Sequence, residues 1–216
     1  MKRAPARRKP YHHGDLRRTL LDAALAIVAS QGVGALSLRE LARKAGVSHA
    51  APYRHFESRE ALLAALATEG FLGLGAEMMQ TAAGEPNPLL RFRALGVAYV
   101  IYAVRHPGHF RVMFGGGLAH DDDDSPLALA GAPTLQGLID VIAEAQRAGQ
   151  IRSGDPRQLA LPAWSMVHGL AMLLVDDQLG ALLEGVYAER EANAVIDVVV
   201  RGLSPSPSSS RRRSNA

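Results

Sequence analysis

Three times along the chain, a residue able to cap a helix stands directly before a proline: Asn87-Pro88, Ser125-Pro126 and Asp155-Pro156. Proline has no N–H to donate and breaks a helix interior, but at the first helical position that group is not needed and the fixed φ suits a helix. The preceding Asn, Ser or Asp offers a side-chain oxygen to the next free N–H groups. The three pairs therefore predict helices over about 88–105, 126–149 and 156–177. Pro107 restarts the chain into a short helix through Phe114, and a last helix covers about 188–203. Upstream, Ser58 caps a helix that carries Leu62, Leu63 and Leu66 toward Ala82, ends at GEPNP and is expected to link two domains. Gly131 and Pro133 are expected to break the 126–149 helix, and Pro162 to kink the 156–177 helix. No stretch alternates as a strand, so the expected fold is all-α.

Residues 37–56, SLRELARKAGVSHAAPYRHF, hold two further short helix signatures around a Gly turn. Ser37 and Glu40 have capping-box spacing, in which each side chain satisfies a backbone donor at the helix start. Leu38, Leu41, Ala42 and Ala45 make one apolar stripe, and Gly46 takes the positive φ that ends a helix. Ser48 then caps a second helix that projects His49, Ala50, Tyr53 and Arg54 outward, with Val47, Ala51 and Phe56 inward. Such a helix spans roughly 12 Å, about the width of the B-DNA major groove. Small Ala50 permits close approach, His49 and Arg54 donate to base edges or phosphates, Tyr53 reaches a phosphate, and Ser48 leaves backbone N–H groups facing an anion. Ser37, Arg39, Lys44, His55 and Arg59 are counted with them as DNA-binding residues. Pro52, at the fourth helical position, predicts an opened, 3₁₀-like start. Two packed helices without a nucleic-acid role are the alternative.

The segment GVSHAAPYRHFESREALL resembles the TetR family pattern, in which G-V-S leads into an aromatic-x-His-Phe sequence and then Ser, a basic residue and Glu. Gly46, Val47, Ser48, Tyr53, His55, Phe56, Ser58, Arg59, Glu60 and Leu62 match it. LRRTLLDAALAIVASQGVGALSLRELARKAG is similar to the family's first helix and its approach to the second, so the resemblance covers about residues 14–74. Pro52 departs from it, since the family more often has Leu there. The run from Trp164 through His168 to Gly169 also resembles a motif in the C-terminal domain of one branch. The resemblance implies a basic arm at 1–13 and a three-helix helix-turn-helix DNA-binding domain at 14–74. It further implies a helical effector-binding and dimerisation domain at 75–203, then a basic tail at 204–216. It implies a ligand-responsive regulator, a repressor, binding a palindromic double-stranded DNA operator as a homodimer. Pairing through the last two long helices would use Gly169, Ala171, Leu174, Val195, Val198, Val199 and Leu203, for which internal core is the competing role.

Charge argues independently of the motif. Residues 1–60 hold 12 Lys and Arg against 5 Asp and Glu, residues 61–203 hold 9 against 16, and Arg211, Arg212 and Arg213 follow in the tail. The net charge of +3 hides a basic end and an acidic remainder, which fits a protein presenting one end to a polyanion. A solvated basic tail, or a nonspecific DNA-coating protein, would share that balance. The opening MKRAPARRKPYHHG is expected to be disordered when free and to lie along phosphates or in a minor groove, and SPSPSSSRRRSNA to be disordered by composition.

Other classes fare worse. The chain has no Cys, which excludes disulfides and thiolate chemistry. The acidic run Asp121–Asp124 lacks DxDxDG spacing, and His106 and His109 have no third ligand nearby, so no metal is expected. No nucleophile arrangement stands out, so neither catalysis nor a cofactor is expected. Residues 14–24 are amphipathic rather than uniformly apolar, so no secretory signal is expected. The apolar stretches 94–104, bracketed by Arg93 and Arg105, and 159–175, interrupted by Pro162, Ser165 and His168, do not read as membrane spans. A cytoplasmic protein with no membrane partner is expected. For an unknown small-molecule effector, Tyr99, Tyr102, Phe110, Met113, Phe114, Trp164, His168 and Met172 are the candidates. Five of the chain's 11 aromatics fall between 99 and 164, and Trp164 and His168 share a helix face. Plain core packing is the alternative for each.

Overall fold

Side-chain caps start five of the helices. In a computed structural model, which describes residues 16–115, 125–180 and 187–205, the chain forms helices α1 (Leu16–Gln31), α2 (Leu38–Ala45), α3 (Arg59–Ala82), α4 (Pro88–Arg105), α5 (Pro107–Phe114), α6 (Pro126–Arg147), α7 (Pro156–Val175) and α8 (Ala188–Leu203). No strand occurs among the described residues. Asn87 Oδ1 accepts from the N–H of Leu89 and of Leu90 at 2.9 and 3.2 Å, Ser125 Oγ from Ala128 at 3.1 Å, and Asp155 Oδ1 from Arg157 at 2.9 Å. Each cap leaves its proline at the start of the first turn, as the dipeptides predict. Ser58 and Ser37 accept from Ala61 and Glu40, both at 3.1 Å. Only half of the predicted capping box forms, because Glu40 turns its carboxylate to Arg43, at 2.8 and 2.5 Å. The expectations for the arm at 1–13, the acidic run Asp121–Asp124 and the tail beyond Pro205 lie outside the described residues.

The break expected at Gly131 and Pro133 does not occur. α6 continues through Gly131 and Pro133 as one helix, and α7 through Pro162. Both prolines are exposed, and so are Leu129 and Gln158, whose carbonyls lose their partners and meet water instead. Just past the first of these steps, the Thr134 hydroxyl donates to Gly131 O at 2.6 Å. Burial of Leu127 and Ala130 before the proline and of Ile142 and Ala145 after it holds both halves of α6 to the core.

α3 is the spine of the molecule. It packs against α1, α4, α5 and α6 and runs unbroken across residue 74, where the sequence suggests a domain boundary. One cluster of buried side chains extends along it, from Leu20, Leu41 and Phe56 through Leu62, Leu66 and Leu74 to Tyr99, Phe110 and Ile196. A smaller cluster of Phe92, Ile142, Ile151, Leu159 and Leu203 closes the far end. α3, α6 and α7 are each long and apolar enough, by length and composition alone, to cross a bilayer, which the reading of 159–175 did not anticipate. Here each contributes side chains to the buried clusters.

An ion pair and a close backbone approach help to fasten α1 to the rest. Arg18 on α1 donates to Glu69 on α3 at 2.7 Å and to Asp22 on its own helix at 2.8 Å. α5 meets α1 backbone to backbone at Gly108, where an added Cβ would lie 2.9 Å from Leu25 O. Gly108→Ala should therefore destabilise the protein by about 1–3 kcal/mol, the usual cost of overpacking a tight contact. Urea denaturation checks this, and an unchanged midpoint would show that the α1–α5 contact yields freely.

Candidate functional site

The segment after α2 departs from the expected second helix. Gly46 adopts φ 68° and donates to Arg43 O at 3.3 Å, and Val47 N donates to Ala42 O at 3.0 Å, so the turn closes α2 as predicted. Beyond it no α-helix forms over 48–56: residues 49–51 turn, and Pro52–Arg54 is a single turn of 3₁₀ helix. Three i→i+3 bonds hold it together, from Ala51 N to Ser48 O at 3.0 Å, Arg54 N to Ala51 O at 3.2 Å and His55 N to Pro52 O at 3.0 Å. The cause is Pro52, which has no N–H to give to Ser48 O, so that carbonyl is taken by Ala51 instead. The sequence predicts a 3₁₀-like start to a helix; the 3₁₀ turn replaces the helix. Pro52 itself is buried and fills the inward position together with Phe56.

This segment still presents one outward face. Ser48, His49, Ala50, Tyr53, Arg54 and His55 are exposed, Tyr53 at 61%, and beside them Ser37, Arg39 and Lys44 are exposed on α2 and its cap. Arg39 and Arg54 make no ion pair or side-chain hydrogen bond among the described residues. Ser37, Arg39, Glu40, Arg43 and His49 line a shallow cleft between the two elements. Behind this face, Arg17 of α1 lies 5.4 Å over the Phe56 ring and helps fix the segment to the scaffold. Arg59 is placed otherwise than predicted. It sits half-buried at the start of α3 and donates to Leu36 O and Val33 O, each at 2.8 Å. Its fork ties the loop before α2 to α3, and its donors are turned inward, away from the exposed face.

A second site lies at the other end of α3. The six helices α3–α8 enclose a cavity of about 470 Å³, whose wall has no charged side chain. Tyr99, Met113, Phe114 and Trp164, four of the eight candidates, line it. The other four do not. Tyr102 is buried and donates to Gly70 O at 2.8 Å, with burial and the neighbouring Glu77 and Glu69 pushing its phenol up to about 12. Phe110 is fully buried and packs edge-on to Tyr99 at 5.7 Å, and Met172 packs against the core. His168 stands behind Tyr99, its Nδ1 2.8 Å from the hydroxyl. The sequence reading missed the α6 wall, where Ala128, Gly131, Thr134 and Leu135 face the cavity. Their recurrence at i, i+3, i+6 and i+7 along one helix was the available signal.

The polar atoms of the pocket form a directed chain. An indole N–H only donates, so Trp164 Nε1, 3.2 Å from the Tyr99 oxygen, gives its hydrogen to it. With His168 neutral and protonated at Nε2, Nδ1 accepts the Tyr99 hydroxyl hydrogen; the Nδ1–H tautomer would instead donate to the Tyr99 oxygen and leave the hydroxyl hydrogen to the cavity. Burial favours the neutral forms of both: it pushes the Tyr99 phenol up and the His168 imidazole below the ordinary histidine range.

The helices expected to pair copies of the chain are also on view. Ala171, Val199 and Leu203 are buried within the protomer, so core is their role, and Leu174 and Val195 are half-buried. Gly169 and Val198 are exposed, with Leu161, Met166 and Leu173 beside them in an apolar stripe on α7 and α8.

Comparison with known proteins matches both ends of the fold. Residues 20–66 match the model of bacterial regulatory proteins of the tetR family, and residues 92–199 that of the tetracyclin repressor-like C-terminal domain. An uncharacterized HTH-type transcriptional regulator of Mycobacterium bovis is 29% identical over 147 residues, covering 65% of this chain and 72% of its own. A solved protein of unknown function from Rhodococcus sp. RHA1 is 40% identical with TM-score 0.74, covering 91% of this chain and 100% of its own. AibR, solved with isovaleryl coenzyme A and operator DNA, is 19% identical with TM-score 0.65, covering 87% and 97%, and shares the fold.

Two half-buried histidines, His109 beside α3 and His168 beside α4, set an acid limit on stability. Burial lowers both His168 and His109, so below about pH 6.5 the unfolded chain binds protons that the native state resists. Their contribution is complete above that pH and is lost as pH falls toward the depressed native values. The melting temperature should drop between about pH 7.5 and 5.5, and drop less in His168→Gln, which cannot titrate. Equal drops in both proteins would remove His168 as a cause.

Proposed function

The chain belongs to the TetR family of bacterial transcriptional regulators, and from that premise we propose that it is a ligand-responsive repressor. It holds a palindromic operator as a homodimer in the cytoplasm and acts by binding alone, without catalysis. The observation that carries this reading is the unpartnered outward face of Ser48–His55 beside Arg39 and Lys44, mounted on a helical scaffold at the basic end of a polarised chain. Arg39, Lys44 and Arg54 supply phosphate or base contacts, Tyr53 a phosphate contact, and His49 a base-edge contact. Arg59 supports the face from behind.

The pocket and the face share α5. Met113 and Phe114 on that helix line the cavity, and Gly108 and Arg111 touch α1. A ligand that prefers one setting of α5 therefore shifts the reading head. A hundredfold preference is worth about 2.7 kcal/mol, enough to release an operator held near balance. The exposed stripe of Leu161, Met166, Gly169, Leu173 and Val198 provides the surface for pairing. A two-fold pair places the two heads about 34 Å apart, one turn of B-DNA.

Selection of duplexes from a random library at near-physiological salt tests the reading. An enriched palindrome is expected, whereas binding that only fades with rising salt would support nonspecific coating. Tyr53→Ala should weaken every operator alike by about 1–2 kcal/mol, and His49→Ala should change which sequences are preferred. Uniform losses from both would overturn that division. Met166→Glu should yield a monomer in sedimentation and lose operator affinity with the fold intact; a persistent dimer would place the interface elsewhere.

A further inference from the structure

The polar atoms in the cavity wall carry information about what the cavity accepts. Its side-chain donors are three: the Tyr99 hydroxyl, Trp164 Nε1 and the Thr134 hydroxyl. With His168 in its Nε2–H tautomer each is already used, the indole on the Tyr99 oxygen at 3.2 Å, the phenol on His168 Nδ1 at 2.8 Å and the Thr134 hydroxyl on Gly131 O at 2.6 Å. The backbone N–H groups of the wall lie in helix interiors except in the first turn of α6, where Ala128 donates to Ser125 Oγ at 3.1 Å and Leu127 precedes the first intrahelical bond. Among the side chains of the wall the remaining capacity is accepting capacity, one lone pair on the Tyr99 oxygen and those of Thr134 Oγ1. A ligand bearing only acceptors, a ketone, an ester or a carboxylate, would bury them unsatisfied, at a cost of about 1–3 kcal/mol each. A formal charge of either sign would meet no partner in a wall without Asp, Glu, Lys, Arg or His. The aromatic rings do not stand open as a cage for a cation. Phe114 packs against Phe110, His168, Phe71, Tyr99 and Trp164, with centroids 4.7 to 6.4 Å apart.

We propose that the pocket takes an uncharged amphiphile: an apolar body that fits within a cavity of about 470 Å³, carrying a hydroxyl that donates to the Tyr99 oxygen. This rests on the reading of the cavity as the effector site and specifies its chemistry. The body lies against Phe71, Leu74, Leu95, Phe114 and Val167, and the hydroxyl extends the chain that runs from Trp164 through Tyr99 to His168. Entry is from the α6 side, where Ala132 and Leu135 of the wall are exposed.

Trp164 is the chain's single tryptophan and lines the cavity, so its emission reports occupancy directly. The full-length protein is titrated with four probes of one chain length: decanol, decan-2-one, decanoate and decyltrimethylammonium. Decanol should shift Trp164 emission with a Kd at least tenfold below that of decan-2-one, and the two charged probes should bind more weakly still. Tyr99→Phe, with its helical content confirmed by circular dichroism, should raise the decanol Kd and lower that of decan-2-one, because it removes the accepting oxygen and frees the Trp164 N–H for a ketone oxygen. Tighter binding of the ketone or of either ion than of decanol by the unsubstituted protein, or an unchanged decanol Kd in Tyr99→Phe, would overturn the ligand class and leave the effector pocket standing. Emission unmoved by all four probes up to their solubility limits would overturn the pocket reading itself. Ala128→Phe, which fills the cavity, should abolish every response.

Discussion

One guanidinium gathers three parts of the molecule that would otherwise meet only through apolar contact. Arg111 on α5 donates to Ala29 O near the end of α1, to Val175 O at the end of α7, and to the Asp176 carboxylate, at 2.7 to 3.1 Å. Carbonyls at helix C-termini have no intrahelical partner and carry the negative end of the helix dipole, so a fixed fork of donors suits them. Without Arg111, α1 would keep Arg18–Glu69 and the tight approach at Gly108. The C-terminal end of α7 would have neither, and that helix carries Trp164 and His168. The relative placement of reading head, pocket and apolar stripe depends on this side chain.

The same economy governs the two sites, in opposite senses. On the exposed face around Ser48–His55, Arg39 and Arg54 are left unspent and open to water. Arg59, a few residues further on, spends its donors on backbone and turns scaffold. In the pocket every donor is consumed internally and the wall is otherwise apolar. The first arrangement suits a polyanion, whose screened attraction needs loose cations. The second suits a neutral guest, for which the only polar reward lies at one oxygen.

What was legible in the sequence was chemistry local to a few residues. The cap–proline pairs marked the starts of α4, α6 and α7, and Gly46 marked the end of α2, because caps and left-handed glycines act over one turn. Pro133 misled for a non-local reason: burial on either side of the proline holds the helix together, and that cannot be read from the pattern. Tyr102, Phe110 and His168 have the residue types of a pocket, but three-dimensional packing decided that Tyr102 would bond to Gly70 and His168 would stand behind Tyr99. Arg59 matched a family pattern, and the pattern is silent on where its fork points. The α6 wall was written in alanine and glycine, which carry no chemistry to notice.

The 3₁₀ turn at Pro52–Arg54 has a consequence for local stability. The segment from Ser48 to His55 is held by i→i+3 bonds on an exposed loop, while α2 on one side and α3 on the other bury leucines in the main core. Its free energy of local opening therefore sits near the bottom of the range in this molecule, and its amides should trade hydrogen with solvent well before those of its neighbours. Anything that binds only the closed form raises that opening energy by mass action. On the proposed function, the order of this segment is then a property shared with an operator, set by how much of the DNA is present and not by the chain alone.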